Sequence, residues 1–441
     1  GYVAISVIFQ GQDVVVHAAE QPYAGGIMIL SVTFWAYVTW YSSRIITDQK
    51  FDDPLFLYRH TPRVLGFVCF LIPQLAVINL PDINWGNYAW LLILTNAALY
   101  ALVNYLSHRF PIKINDLVAL VLIFVIAFAA TLASKFVFEA PLSFLLFTIL
   151  LYMLQAALFL NFNINRRYAL QAIKQQKQEE RFALQLKVRM EQQERRFFLL
   201  FNLISFIGLL IYVLSVILVP FARAIISYSI VFFAFGILLG VGNLLSFFSM
   251  RLNINLHVIV IVLAVVTGSL GRSPYEVQTI REEPERAFAE RQTLLEYTKN
   301  WIEKRKPAIK RSEGNYPMIF VLADGGASRS GYWTASCLGM LQDASPHFAA
   351  HVFMLSGASG GAVGNSVFHS LLNEEDNEIK YLQEAKDFMG NDFLSPTLAR
   401  MLGPDYFRHV FPLNLPPIKD RAAALEKAME QPAVGRPLFD K

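Results

Sequence analysis

"HVFMLSGASGGAVGNSVFHSLL", residues 351–372, passes from a short apolar run, through a serine set among glycines, into a run with helical periodicity. A strand covered on both faces reads as a continuous apolar stretch; "MIFVLA", one unit earlier, suits such a buried parallel strand, and "HVFMLS" is expected to be a second strand. "GASGG" then makes a tight turn, and "AVGNSVFHSLLNEE" a helix. One unit earlier the order repeats: "MIFVLA" as strand, "DGGASRSG" as glycine-rich turn and "YWTASCLGMLQDA" as helix. Strand, turn and helix twice over predict an α/β unit with a parallel sheet whose two turns meet at the strands' carboxyl ends.

A G-x-S-x-G between a strand and a helix presents the serine hydroxyl on a strained bend. Larger neighbours would collide with the adjacent backbone there, and Gly357, Gly360 and Gly361 meet that demand around Ser359. The helix that follows directs its positive end at the serine, which favours an anionic intermediate. The earlier turn, at Gly325, Gly326 and Ala327, offers backbone N–H groups to an oxyanion, with Arg329 placed to fix the loop or bind phosphate. The plainer reading of both runs is an ordinary strand-to-helix turn.

The remainder of the chain is of another kind. Of 441 residues 55% are hydrophobic and 16% charged, far more apolar than a soluble domain. Apolar runs near 26–46, 62–80, 86–106, 115–134, 141–161, 197–219, 221–249 and 254–271 suit a hydrocarbon core of about 30 Å, which needs roughly 20 helical residues. Lysine and arginine mark cytoplasmic loops. Arg44, Lys50, Arg59 and Arg63 are expected to lie in one loop, its ends overlapping the two flanking runs, and Arg109 and Lys113 in the loop two spans later, whereas the alternate loops carry only Lys135 and Arg223. Residues 165–196, basic and free of proline and glycine, are expected to form a long cytoplasmic helix. Counting onward puts everything after residue 271 on the extracytoplasmic face, a parity that rests on the run 254–271.

The expected organisation is a multipass helical membrane domain over 1–271, a charged helical linker over 272–316 and an α/β domain over 317–441. The net charge of +4 is spread for topology and matches no nucleic-acid module. Cys69 and Cys337 support neither a disulfide framework nor a zinc site. No metal or cofactor is implied.

"ADGGASRSGYWTAS" and "GASGG", in this order and about thirty residues apart, resemble the glycine-rich oxyanion motif and the G-x-S-x-G of the patatin-like phospholipases. The segment "DFLSPTLARMLGPDYFRHVFPLNLPPIKDRAAALEKAMEQ" is similar to the same region of multipass bacterial members, so the resemblance covers roughly residues 317–435. It implies a serine lipid acyl hydrolase of the bacterial inner membrane, with Ser359 as nucleophile and Gly325, Gly326 and Ala327 lining the oxyanion hole. Its expected partners are the bilayer and its phospholipids or other lipid esters, and a homo-oligomer is compatible with it. Two departures stand out. Ala327 replaces the motif's third glycine, and no D-G-A or D-G-G follows the elbow, so either the family's dyad aspartate is expected beyond Lys441, with 317–441 the first part of the α/β domain, or the active site is expected to be incomplete. Asp324 belongs to the oxyanion loop and is a poor base.

Three rivals compete with this reading. A Ser-His-Asp triad would need His369 or His409. An intramembrane serine protease would draw on His257, near a membrane end. The third is a transporter, channel or scaffold with a regulatory or inactive α/β domain; against transport, the spans hold almost no charged groups, and Asn96, Asn104 and Asn243 read as helix-packing residues.

Overall fold

A computed structural model describes residues 9–50, 56–78, 96–98, 100–102, 105, 147, 150–155, 157–158, 192–269, 291–374, 378–408 and 419–439. They are mostly helical, with one two-stranded parallel sheet. The chain divides into two compact units, Gly1–Arg272 with Ser395–Arg421, and Ser273–Leu394 with Ala422–Lys441.

In the first unit α1 (Phe9–Glu20), α2 (Pro22–Lys50) and α3 (Phe56–Ile78) are followed by α4 (Gln192–Ile217), α5 (Val219–Ile225), α6 (Ser227–Leu252) and α7 (Leu256–Ser269). Among the described residues, three stretches are long and apolar enough to cross a membrane: Pro22–Thr47 in α2, Leu199–Ile217 in α4 and Ser227–Leu252 in α6. At about 1.5 Å per residue they reach roughly 30 to 40 Å, the thickness of a hydrocarbon core or more. Aromatic side chains join α2 to the other two. Phe34 meets Phe233 with ring centroids 5.2 Å apart, Trp35 stacks on Phe232 at 5.7 Å, and Tyr41 meets Phe201 at 4.2 Å. Asn243 donates to Ser42 across α6 and α2.

Three buried carboxamides close a ring in this unit. Gln74 Nε2 donates to Gln155 Oε1 at 3.0 Å, Gln155 Nε2 to Asn96 Oδ1 at 2.8 Å, and Asn96 Nδ2 to Gln74 Oε1 at 3.0 Å. Each amide is both donor and acceptor, so the ring satisfies itself within an apolar core. That is the packing role the sequence suggests for Asn96, and Asn243 serves it too; Asn104 lies outside the described residues. Gln155→Leu leaves one donor and one acceptor of the ring unpaired and is expected to cost about 1–3 kcal/mol. Thermal unfolding in detergent measures it.

Several expectations change here. Arg44, Lys50, Arg59 and Arg63 do not share a loop: α2 runs to Lys50 and α3 starts at Phe56, and Arg44 and Arg63 are buried. Arg44 lies over the Trp40 ring at 6.0 Å, where an aromatic face offsets the burial of a cation. The run 221–249 is interrupted, because Ile226, at φ 66° and ψ 144°, ends α5 before α6 begins. The runs 86–106, 115–134 and 141–161 and the basic stretch 165–196 fall mostly outside the described residues. Gln192 to Arg196 already belong to α4. The described part of the last run, α7, has 14 residues, roughly 21 Å of helix. That is short of the core, so the count favouring an extracytoplasmic face does not close on the described residues.

The second unit is built on α8 (Leu294–Arg311), β1 (Ile319–Ala323), α9 (Ala327–Ala344), α10 (Phe348–His351), β2 (Val352–Gly357), α11 (Gly360–Leu372) and α12 (Tyr381–Met389). The strands pair in parallel from Ile319 with Val352 to Ala323 with Gly357, so both end at the same edge. Leu338, Phe348 and Phe368 pack under Ile319, Val321, Val352 and Leu355. The described part of the stretch expected as a linker, residues 291–316, packs in this unit. Trp301 of α8 stands edge-on to Phe353 at 5.8 Å and donates to Val352 O at 3.4 Å. A capping box starts α8: Thr293 Oγ1 accepts from the Glu296 amide, and the Glu296 carboxylate accepts from the Thr293 amide and hydroxyl. Those bonds hold the Glu296 carboxyl below its ordinary range.

Downstream, Ser395–Arg421 belongs with the first unit rather than with the expected α/β domain. It carries α13 (Leu394–Arg400), a π-helical turn over Met401–Asp405 and α14 (Tyr406–Arg408), ahead of α15 (Arg421–Glu430). Tyr212 of α4 donates to Ala399 O at 2.8 Å, and Arg400 Nε to Val216 O at 3.3 Å. Burial lifts the Asp405 carboxyl above the usual aspartate range, opposed by the Arg421 amide and by Arg408 at 3.2 Å.

Candidate active site

The site follows from where the two strands stop. Ala358 N donates to Ala323 O at 3.0 Å, so the pairing runs one step past β2 and delivers Ser359 beside the end of β1. Ser359 then adopts φ 48° and ψ −122°, a backbone state that side-chain-bearing residues rarely take. Such a residue costs about 1–3 kcal/mol and persists only where its surroundings hold it. Here they do so by close packing. Gly357 closes β2, and a Cβ on it would lie 2.6 Å from Ala362 N; a Cβ on Gly361 would lie 2.6 Å from Ala323 O. A Cβ on Gly360 would run into Ala327 O, which leaves no space for any side chain. Ser359 itself is exposed.

Helices α9 and α11 cross where glycines let their backbones meet. A Cβ on Gly331 would be 3.0 Å from Gly360 O, and one on Gly364 2.6 Å from Gly331 O. The crossing brings the amino ends of both helices, and therefore both glycine-rich turns, to one place. A Cβ on Gly325 would stand 3.3 Å from Ser359 Cβ. Gly325, Gly326, Ala327 and Arg329 are all exposed.

The earlier turn is shorter than the sequence suggests. Helix α9 begins at Ala327 rather than near Tyr332, so Ala327 and Arg329 lie in its first turn. The residue that departs from the family motif is the one with φ 51°, while Gly326 is extended at φ 177°. A left-handed L-residue pays roughly 1–2 kcal/mol, so Ala327→Gly is expected to stabilise this unit by about 1 kcal/mol. A raised midpoint in thermal unfolding reports it; a lowered one would contradict the backbone described for this turn.

Two residues with no role assigned from the sequence hold the turns, Ser330 within the glycine-rich stretch and Asn365 beyond the elbow. Ser330 donates its hydroxyl to Asp324 O and its amide to Gly326 O at 3.3 Å, closing the first turn. Asn365, buried on α11, donates to Ser356 O at 3.0 Å and ties the helix back to β2 just before the bend. An asparagine on the buried face of "AVGNSVF" was the available signal.

The histidines stand elsewhere. His369 lies ten residues along α11 from Ser359, about 15 Å by helical rise, and pairs with Asn373 at 3.2 Å. His257 belongs to the first unit, where it meets Ser246 at 2.8 Å. His409 is outside the described residues. Among the described residues no three His, Cys, Asp or Glu side chains come together as a metal would require. No family model, no curated protein and no solved structure matches the chain.

Proposed function

We propose that this chain is a multipass integral membrane protein of the bacterial inner membrane that carries a serine lipid acyl hydrolase, resembling the patatin-like phospholipases. The observation that carries the reading is Ser359: a non-glycine residue held at φ 48° and ψ −122°, exposed between β2 and α11, with Gly325 alongside. Strain of this sort is retained where it positions a reacting group.

In the proposed reaction Ser359 Oγ bonds to the ester carbonyl carbon and passes its proton to a base. The amides at Gly325, Gly326 and Ala327 and the amino end of α11 stabilise the oxyanion. The carbonyl re-forms as the alcohol leaves with a proton, and water then cleaves the acyl-serine to release a fatty acid. The resemblance assigns the base to an aspartate in a later D-G-A or D-G-G motif, and the 441 residues hold none after Ser359. Arg329 fixes the oxyanion loop or binds a lipid phosphate. Membrane anchoring keeps the lipid ester substrate at high local concentration.

The test is fatty-acid release from vesicles containing the reconstituted full-length protein, supplied in turn with a diacyl phospholipid, a lysophospholipid and a neutral glyceride. Release from at least one class is expected. Vesicles that release nothing from any of them refute the assignment.

A further inference from the structure

A cavity of ≈ 340 Å³ opens between α2, α4 and α6, the three helices long and apolar enough to cross a membrane. Its volume is at the small end of ligand sites, which run from about 300 to 1,000 Å³. The walls are aliphatic and aromatic, with Phe34, Phe201, Leu209 and Phe247 among them. Gly236 and Gly240 withhold side chains from the α6 wall. Four polar residues, Ser42, Asn202, Ser205 and Asn243, interrupt the apolar surface. Asn243 is engaged with Ser42, Asn202 is exposed, and Ser205 Oγ is buried with no hydrogen-bond partner. A hydroxyl withdrawn from water and left unpaired is unfavourable, and a ligand oxygen that accepts from it removes that penalty.

The position of the cavity says what that ligand is. Helices surrounded by hydrocarbon expose their cavities to lipid, so chain-like apolar molecules are the solutes at hand. The volume suits one chain. Arg251 lies one turn beyond Phe247 on α6, exposed, and the i, i+4 spacing puts its cation on the cavity's side of the helix. We propose that α2, α4 and α6 bind a single acyl chain of an anionic lipid in this cavity. An acyl-ester carbonyl oxygen of that lipid accepts from Ser205 and its anionic head group pairs with Arg251. The inference rests on reading these helices as membrane spans and is independent of the chemistry at Ser359.

The full-length protein in vesicles is photolysed with three probes bearing a diazirine in the acyl chain: a fatty acid, a phosphatidylglycerol and a phosphatidylcholine. Adducts are mapped by mass spectrometry. Labelling of residues 201–209 and 236–247 is expected to exceed that of α7, whose apolar side chains are also exposed, by about tenfold. Gly240→Leu and, as a second filler, Leu244→Trp should each reduce the cavity adducts by about tenfold and leave those on α7 unchanged. Ser205→Ala should weaken labelling while the cavity keeps its shape, and Arg251→Gln should erase any preference for the anionic probes. The fatty-acid and phosphatidylglycerol arms separate a free carboxylate from a phospholipid as the source. Equal labelling of cavity and α7, or cavity labelling indifferent to both filling variants, overturns the site. If α7 and the cavity both escape every probe, the membrane reading has failed instead.

Discussion

Ser359→Ala is expected to lower ester turnover by at least about a thousandfold, because removal of a covalent nucleophile leaves only binding and oxyanion stabilisation. The fold has little reason to object. The serine is exposed, its side chain makes no capping bond to α11, and alanine occupies the same backbone state at the same cost. Membrane insertion and unfolding temperature should therefore match the parent protein. A variant that stays folded and retains turnover within tenfold would remove Ser359 from the chemistry, whatever the geometry of its bend.

Gly360→Val should have an equally large effect by another route. The first side-chain atom would enter Ala327 O, and backbone cannot yield as a flexible side chain can. Relief requires α11 to move away from the turn before α9, which separates Ser359 from Gly325. Overpacking of this severity is expected to cost about 3 kcal/mol or more and to abolish turnover with it. Gly314→Ala in the same unit is the control, since a Cβ there meets nothing within 4 Å. Equal stability of the two variants would show that the helices do not cross as described.

Most of the local structure near the site was legible because it depends on local rules. Apolar runs of strand length, glycines at the bends and helical periodicity after them led to β1, β2, α9 and α11 with small errors at the ends. The start of α9 was missed by five residues, since glycine and serine conceal a first helical turn whose amides are left for other partners. What escaped entirely was long-range. Charge alone suggests that Arg44 and Arg63 face water, but Trp40 lies beneath one of them and both are buried. Residues 291–311 read as a solvated linker until Trp301 meets Phe353. Nothing in "LSPTLARMLGPDYF" announces that Ala399 and Arg400 will bond with Tyr212 and Val216, nearly two hundred residues earlier. The break at Ile226 is equally silent, because a β-branched residue at positive φ is a choice no local preference would make.

Fluorophosphonate modification of the full-length membrane protein, followed by mass spectrometry of the adduct, asks whether Ser359 is a nucleophile, because the reagent bonds preferentially to a serine activated for acyl transfer. One stoichiometric adduct is expected, on the peptide containing Ser359, forming in the native membrane and lost on unfolding. An adduct on another serine, or none on folded protein, would contradict it.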